Sequence, residues 1–326
     1  MILDLLTLLP KLSKTIFSIH MITSYSDALK AWRGKPYRSL NAYLHECFGQ
    51  KLHKIALNGG FTCPNRDGTL DTRGCIFCSA EGSGDFAVDQ LPDVSDVSPF
   101  IAYFQSFTNT YGSIERLEHC YMQAICHPDT AVLSIATRPD CLPDEVIHLL
   151  QRLNKIKPVW VELGLQTIHE STAQFIRRGY PLDTFTNAVY RLRSAGIEVI
   201  VHTILGLPGE SIEDMIETHR FLSTLPIQGA KLQLLHIIKG TDLDKIYTKD
   251  PFHVFTLEEY TDVLIQCIEV LRQDIVLHRI TGDGPKHLLT APLWSGYKKQ
   301  VLNTIHHAFK EKNTWQGRLC SQPTID

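Results

Sequence analysis

The chain has 326 residues, of which 44% are hydrophobic and 21% charged, a balance that excludes disordered, collagen-like and multispanning membrane proteins. At this length one large α/β domain or two smaller ones can bury a sizeable core. The formal charge of −3 argues against a protein that coats nucleic acid or acidic membrane nonspecifically.

Residues 1–20, MILDLLTLLPKLSKTIFSIH, are apolar, but Asp4, Pro10, Lys11 and Lys14 interrupt them and no small-residue cleavage site follows. Met21 offers a second start, so residues 1–29 read as an extension of which the first twenty are dispensable. No other run is apolar and long enough to span a bilayer, so the expected compartment is the cytoplasm, with neither membrane nor DNA as a partner. The charge is uneven: +5 over residues 30–54, −11 over 55–297 and +4 over 298–318. Two basic ends around an acidic middle fit either ordinary solvated segments or a docking surface for a polyanion.

From residue 55 short β-branched runs alternate with helix-length segments, the pattern of repeated βα units on a parallel sheet. Six strands are expected, at 55–58, 101–106, 132–137, 159–164, 198–205 and 230–236. Helices are expected at 113–126, 143–154, 170–177, 182–195, 211–223 and 256–273, with Ser211 and Asp214 as a capping box and Gly196 as a stop. Six units make an open, partial (β/α)6 barrel. The core then runs from 30 to 273 and a basic extension from 274 to 326. In such a sheet the chemistry belongs at the carboxyl ends of the strands.

Nine cysteines in a reducing compartment point to metal rather than disulfides. Cys63, Cys75 and Cys78 share the Gly-rich loop 59–86 after the first strand, with eleven residues and then two between them. Three thiolates can hold three irons of a 4Fe-4S cluster and leave the fourth open to a ligand. Structural zinc, with His53 as a fourth ligand, and a redox CxxC pair are the alternatives. Cys120, Cys126 and Cys267 lie in helical segments and read as core thiols, and Cys141 lies just past the third strand, near the presumed site.

The segments LNGGFTCPNRDG, GCIFCSAEGSGDF, LSIATRPDCL, WVELGLQT, HTILGLPGE and HRITGDGP carry a resemblance to the radical S-adenosylmethionine superfamily. Within it the chain resembles the YtqA/YhcC-type branch related to the radical domain of Elongator's catalytic subunit. The eleven-residue spacing departs from the superfamily's usual three and is similar to that branch. The resemblance implies a radical SAM barrel holding a three-cysteine 4Fe-4S cluster and S-adenosylmethionine. It places Thr108 and Asn109, where many relatives carry Gly-Gly-Glu, by the amino group of that cofactor. It puts Arg138 and Asp140 near its polar groups, Glu162 and Gln166 at the ribose or substrate, and His202, Ile204 and Gly206 at the nucleoside.

The resemblance also implies a low-potential electron donor such as flavodoxin or ferredoxin, and a tRNA anticodon loop as substrate. The expected reaction is at the C5 side chain of wobble uridine, of the carboxymethylaminomethyl to aminomethyl type, because an acetyltransferase domain is missing. Trp32, Tyr37, Tyr43, Tyr297 and Trp315, interleaved with the basic ends, are candidate stacking residues. A radical enzyme for a small metabolite, or a noncatalytic iron-sulfur or zinc protein, remains open at this point.

Overall fold

The computed structural model describes residues 21–82, 84–91, 99–282 and 284–321. The extension 1–20 and Asp283 lie outside the described residues. Seven strands form one parallel sheet, β1 (His53–Leu57), β2 (Phe100–Phe104), β3 (Thr130–Thr137), β4 (Val159–Gln166), β5 (Glu198–Leu205), β6 (Gly229–Leu234) and β8 (Val276–Arg279), in that spatial order. Between β6 and β8, β7 (Ile237–Ile238) leaves the sheet and pairs antiparallel with β9 (Leu289–Ala291).

Helices α1 (Tyr25–Ala31) and α2 (Leu40–Phe48) precede β1. The crossovers carry α3 (Ile114–Ile125), α4 (Asp144–Leu153), α5 (Glu170–Phe175), α6 (Leu182–Ser194), α7 (Ile212–Leu222), α8 (Asp242–Lys249) and α9 (Leu257–Glu269), and α10 (Lys298–Glu311) follows β9. The Ser211–Asp214 capping box starts α7, a second box of Thr256 and Glu259 starts α9, and Gly196, at φ +75°, follows the end of α6.

Six strands stand where the sequence placed them, within two residues at most ends. A seventh strand, β8, extends the sheet beyond the six that the sequence indicated. It reads poorly because only four residues, VLHR, form it and half of them are polar. Ile22, whose N–H donates to Gln273 Oε1 at 2.8 Å, and α1 pack on the C-terminal segment, so residues 21–29 belong to the folded body. The two basic ends also meet: Gln316 N–H donates to Pro36 O and Arg38 N–H to Gln316 Oε1.

The sheet curls. Neighbouring strands lie about 4.8 Å apart, so a flat sheet would separate β1 from β4 by about 14 Å. Yet Lys54 on β1 reaches Glu162 on β4 at 3.0 Å. The inward side chains form layers. Ile101, Val132, Trp160 and Ile200 make an apolar floor closed from below by Leu44 of α2, and the next inward residues up the strands are Tyr103, Ser134, Glu162 and His202. The outward faces pack on the helices in the main hydrophobic core. Polar chemistry is thereby confined to the interior and the carboxyl ends.

Candidate active site

The loop after β1 folds around its own polar groups. Cys63 O accepts from the N–H groups of Arg66 and Asp67 at 2.8 and 3.1 Å, and Cys75 O accepts from Cys78 N–H at 3.1 Å. Gly74 bends at φ +76°, where a Cβ would stand 2.8 Å from the Arg66 side chain. Arg66 clamps the CxxC segment, donating to the carbonyls of Cys78, Ser79 and Ala80 at 3.0, 2.6 and 3.2 Å. Asn65 Nδ2 donates to Cys75 Sγ at 3.6 Å and to Arg177 O at 2.8 Å, tying the loop to the end of α5.

Cys63, Cys75 and Cys78 line one cavity of about 260 Å³ at the carboxyl ends of the strands. Burial, joined by the nearby Cys78 and Cys63 sulfurs, pushes the Cys75 thiol up to about 12. Three thiolates together are therefore costly here unless a cationic group joins them, which is the condition an iron-sulfur cluster meets. His53 is exposed at the start of β1, the opposite end of that strand from the cysteine loop, so it cannot complete a zinc site.

Of the other candidate residues, Thr108, Arg138, Glu162, Gln166, His202 and Ile204 line the same cavity. Gln166 follows a register shift in β4, adopts φ +67°, and buries its Oε1 without a hydrogen-bond partner. A strained residue holding out an unanswered acceptor suits a hydroxyl or ammonium donor of a bound cofactor. Ile204, with Ile76 and Leu235, supplies an apolar patch beside it.

Three candidates stand elsewhere. Asn109 is fully buried, its Nδ2 holding Phe104 O and Ala136 O at 3.2 and 2.9 Å where β2 and β3 end. Asp140 is taken by Arg138, which grips it through two nitrogens at 2.9 and 2.7 Å and adds Arg178 O at 2.9 Å. Arg138 therefore faces the cavity already paired. Gly206 turns at φ +88° against the Phe255 ring and belongs to a loop. Cys141 is buried beside Asp140, 3.8 Å from its Oδ1, and outside the cavity wall. Cys267 is a core thiol as expected, but Cys126, just past the end of α3, is exposed.

Glu162 differs most from expectation. Instead of waiting for a ribose it is already surrounded: Lys54 Nζ and Ser134 Oγ donate to Oε1 at 3.0 and 2.8 Å, while His202 Nε2 at 2.7 Å and Lys231 Nζ meet Oε2. Burial alone would raise this carboxyl, but Lys231 and Lys54 outweigh it and hold the group well below its ordinary range. Burial lowers His202 to about 4, so it is neutral at physiological pH. The ammonium groups of Lys54 and Lys231 lie 4.3 and 4.4 Å from the centre of the Tyr103 ring. The sequence reading missed Lys54, Tyr103 and Lys231, although a lysine inside the buried run GAKLQLL was a signal.

A second, wider cavity of about 1430 Å³ opens beside the first and shares Tyr103, Gln105, Arg279 and Pro285 with it. Its walls carry Lys54, Lys286, Lys298 and Lys299, against the acids Glu81 and Asp85. Tyr297 is 65% exposed and Phe86 61%. Of the five aromatic candidates from the ends, Tyr297 alone is exposed, and Trp32 and Tyr37 are core residues.

Residues 108–222 match the sequence profile of the Radical SAM superfamily and residues 227–311 that of the Radical SAM C-terminal domain, which takes in β8 and α10. YtqA of Bacillus subtilis is 42% identical over 299 residues, covering 87% of this chain and 93% of YtqA. A tRNA uridine(34) acetyltransferase of Methanocaldococcus infernus is 26% identical over 183 residues, 55% of this chain and 33% of that protein. In fold the chain is similar to the Elp3 structure of the same archaeon, with a TM-score of 0.58 at 19% identity over 67% of this chain and 55% of the other. The chain belongs to the radical S-adenosylmethionine superfamily, in the branch of YtqA, and is an enzyme whose cofactors are a 4Fe-4S cluster and S-adenosylmethionine.

Proposed function

We propose that this radical enzyme modifies the C5 side chain of wobble uridine in tRNA, in a step of the carboxymethylaminomethyl to aminomethyl type. The observation that carries the reading is the wide cationic groove that runs into the cysteine-lined chamber, with Lys286, Lys298 and Lys299 placed for phosphates and Tyr297 and Phe86 for stacking. The partial relative that acts on tRNA uridine 34 supports the same substrate class.

Cys63, Cys75 and Cys78 would hold the cluster, and Gln166 and Ile204 would meet S-adenosylmethionine. When bound, the cluster would supply the electron for reductive cleavage of S-adenosylmethionine, and with it the power to abstract hydrogen from an unactivated carbon. The chain's own task is exclusion and aim. The apolar floor would close the chamber from below, and the curled sheet would hold the reacting carbon where its wall residues converge. A low-potential donor such as flavodoxin or ferredoxin would deliver the electron, and the cytoplasm supplies both donor and tRNA.

Deleting the gene and measuring modified nucleosides by mass spectrometry tests the proposal. Accumulation of the acid-bearing uridine and its conversion by the purified enzyme are expected. An unchanged nucleoside profile would refute the tRNA assignment.

A further inference from the structure

We propose that Lys54 and Lys231 form a receptor for a carboxylate carried by the substrate, with Glu162 as the counter-charge that holds both lysines in place. The inference rests on the tRNA reading for the identity of the substrate, but not for the charge of the group received.

Two ammonium groups share one carboxylate, and both of its oxygens are already filled by two partners each. His202 and His278, the nearest imidazoles, are held neutral by burial, and burial keeps the Tyr103 phenol protonated. Two lysines thus face one carboxylate whose oxygens are already filled; burial lowers Lys231, and Lys54 keeps donors toward the open groove.

The placement is that of a receptor. Lys231 lines the chamber that holds the three cysteines, and Lys54 lines the groove that leads into it, so their ammonium groups flank the passage. Lys54 donates to one Glu162 oxygen and is 22% exposed, which leaves donors for an incoming anion. Ser134 and the Tyr103 ring fix the geometry before anything binds. Such a site attracts a side chain ending in a carboxylate and repels one ending in an amine. It would therefore distinguish the acid-bearing uridine from its aminomethyl product by charge.

The test has two arms, both on the reconstituted holoenzyme. In the first, binding of 13C-labelled acetate is followed by NMR, with methylammonium as the cationic comparison. Wild type should bind acetate and not methylammonium, and Lys54→Met should weaken acetate about tenfold or more. Lys54→Arg should keep most of the affinity, and iron content and melting temperature show whether each variant has folded. Equal acetate binding by wild type and Lys54→Met, or none by wild type, overturns the proposal. In the second, anticodon stem-loops bearing carboxymethylaminomethyl- or aminomethyl-uridine are compared. Preference for the acid in wild type, lost in Lys54→Met, supports the receptor, and equal binding of the two RNAs by wild type overturns it. If neither RNA binds, the tRNA reading fails, while the acetate arm still decides the carboxylate.

Discussion

Glu162→Gln isolates what the interior carboxylate does. The side chain of Lys231 is 3% exposed and that of Glu162 fully buried, so removing the negative charge strands an ammonium inside the barrel. Breaking a buried pair from one side costs about 3–5 kcal/mol, whereas removing both partners is often near neutral. With a urea m-value of about 3 kcal/mol/M, the unfolding midpoint should fall by roughly 1 M or more. Adding Lys231→Met should recover at least half of that loss. Burial already lowers the Lys231 ammonium, and loss of the neighbouring carboxylate would lower it further. A group whose folded pKa is depressed binds fewer protons folded than unfolded, so the single variant's deficit should shrink between pH 7 and pH 10. Urea titrations of apo wild type, single and double variants at both pH values provide the assay. A loss below about 1 kcal/mol, or a double variant as unstable as the single, would refute the ion-pair account.

Other consequences follow from the same geometry. Cys75→Ala and Cys78→Ala should each lose iron and the brown chromophore while keeping the circular dichroism of the fold, and retained iron would contradict the ligand assignment. Lys298→Ala with Lys299→Ala should weaken tRNA binding and reduce the slope of log K against log salt by about 2, because two phosphate contacts are lost. His202, His219 and His306 are each lowered to about 4 by burial. The unfolded chain therefore binds more protons between pH 6.5 and 4, and stability should fall as pH drops through that window, by at most about 3 kcal/mol each for the buried His202 and His219 and less for the partly exposed His306. A pH-independent melting temperature there would contradict it. Gly206→Ala, at φ +88° with a Cβ 3.2 Å from Phe255, should cost about 1–2 kcal/mol in urea titrations.

Legibility followed from how local each signal is. The six long strands read correctly because continuous apolar runs between turn residues are a short-range pattern. The cysteine loop was legible because ligand spacing is linear, and the fold brings its three cysteines to one cavity. β8 was missed because its four residues show no periodicity and its place comes from pairing with β6. The ion network of Glu162 was not legible, since its partners arrive from four other strands and only sheet curvature brings Lys54 to it. The pairing of Asp140 with Arg138, two residues away, is a side-chain choice that spacing does not encode. The basic ends showed as charge, but their convergence on one groove, with only Tyr297 of the five aromatics exposed, depends on tertiary packing.

The central claim is tested most directly by anaerobic reconstitution with iron and sulfide, followed by dithionite and S-adenosylmethionine, measuring 5′-deoxyadenosine with and without tRNA from cells that lack the protein. The account predicts 5′-deoxyadenosine formation stimulated by that tRNA, together with an altered wobble uridine by nucleoside mass spectrometry. Formation indifferent to the tRNA would contradict the substrate assignment, and no cleavage by a fully loaded cluster would contradict the radical chemistry itself.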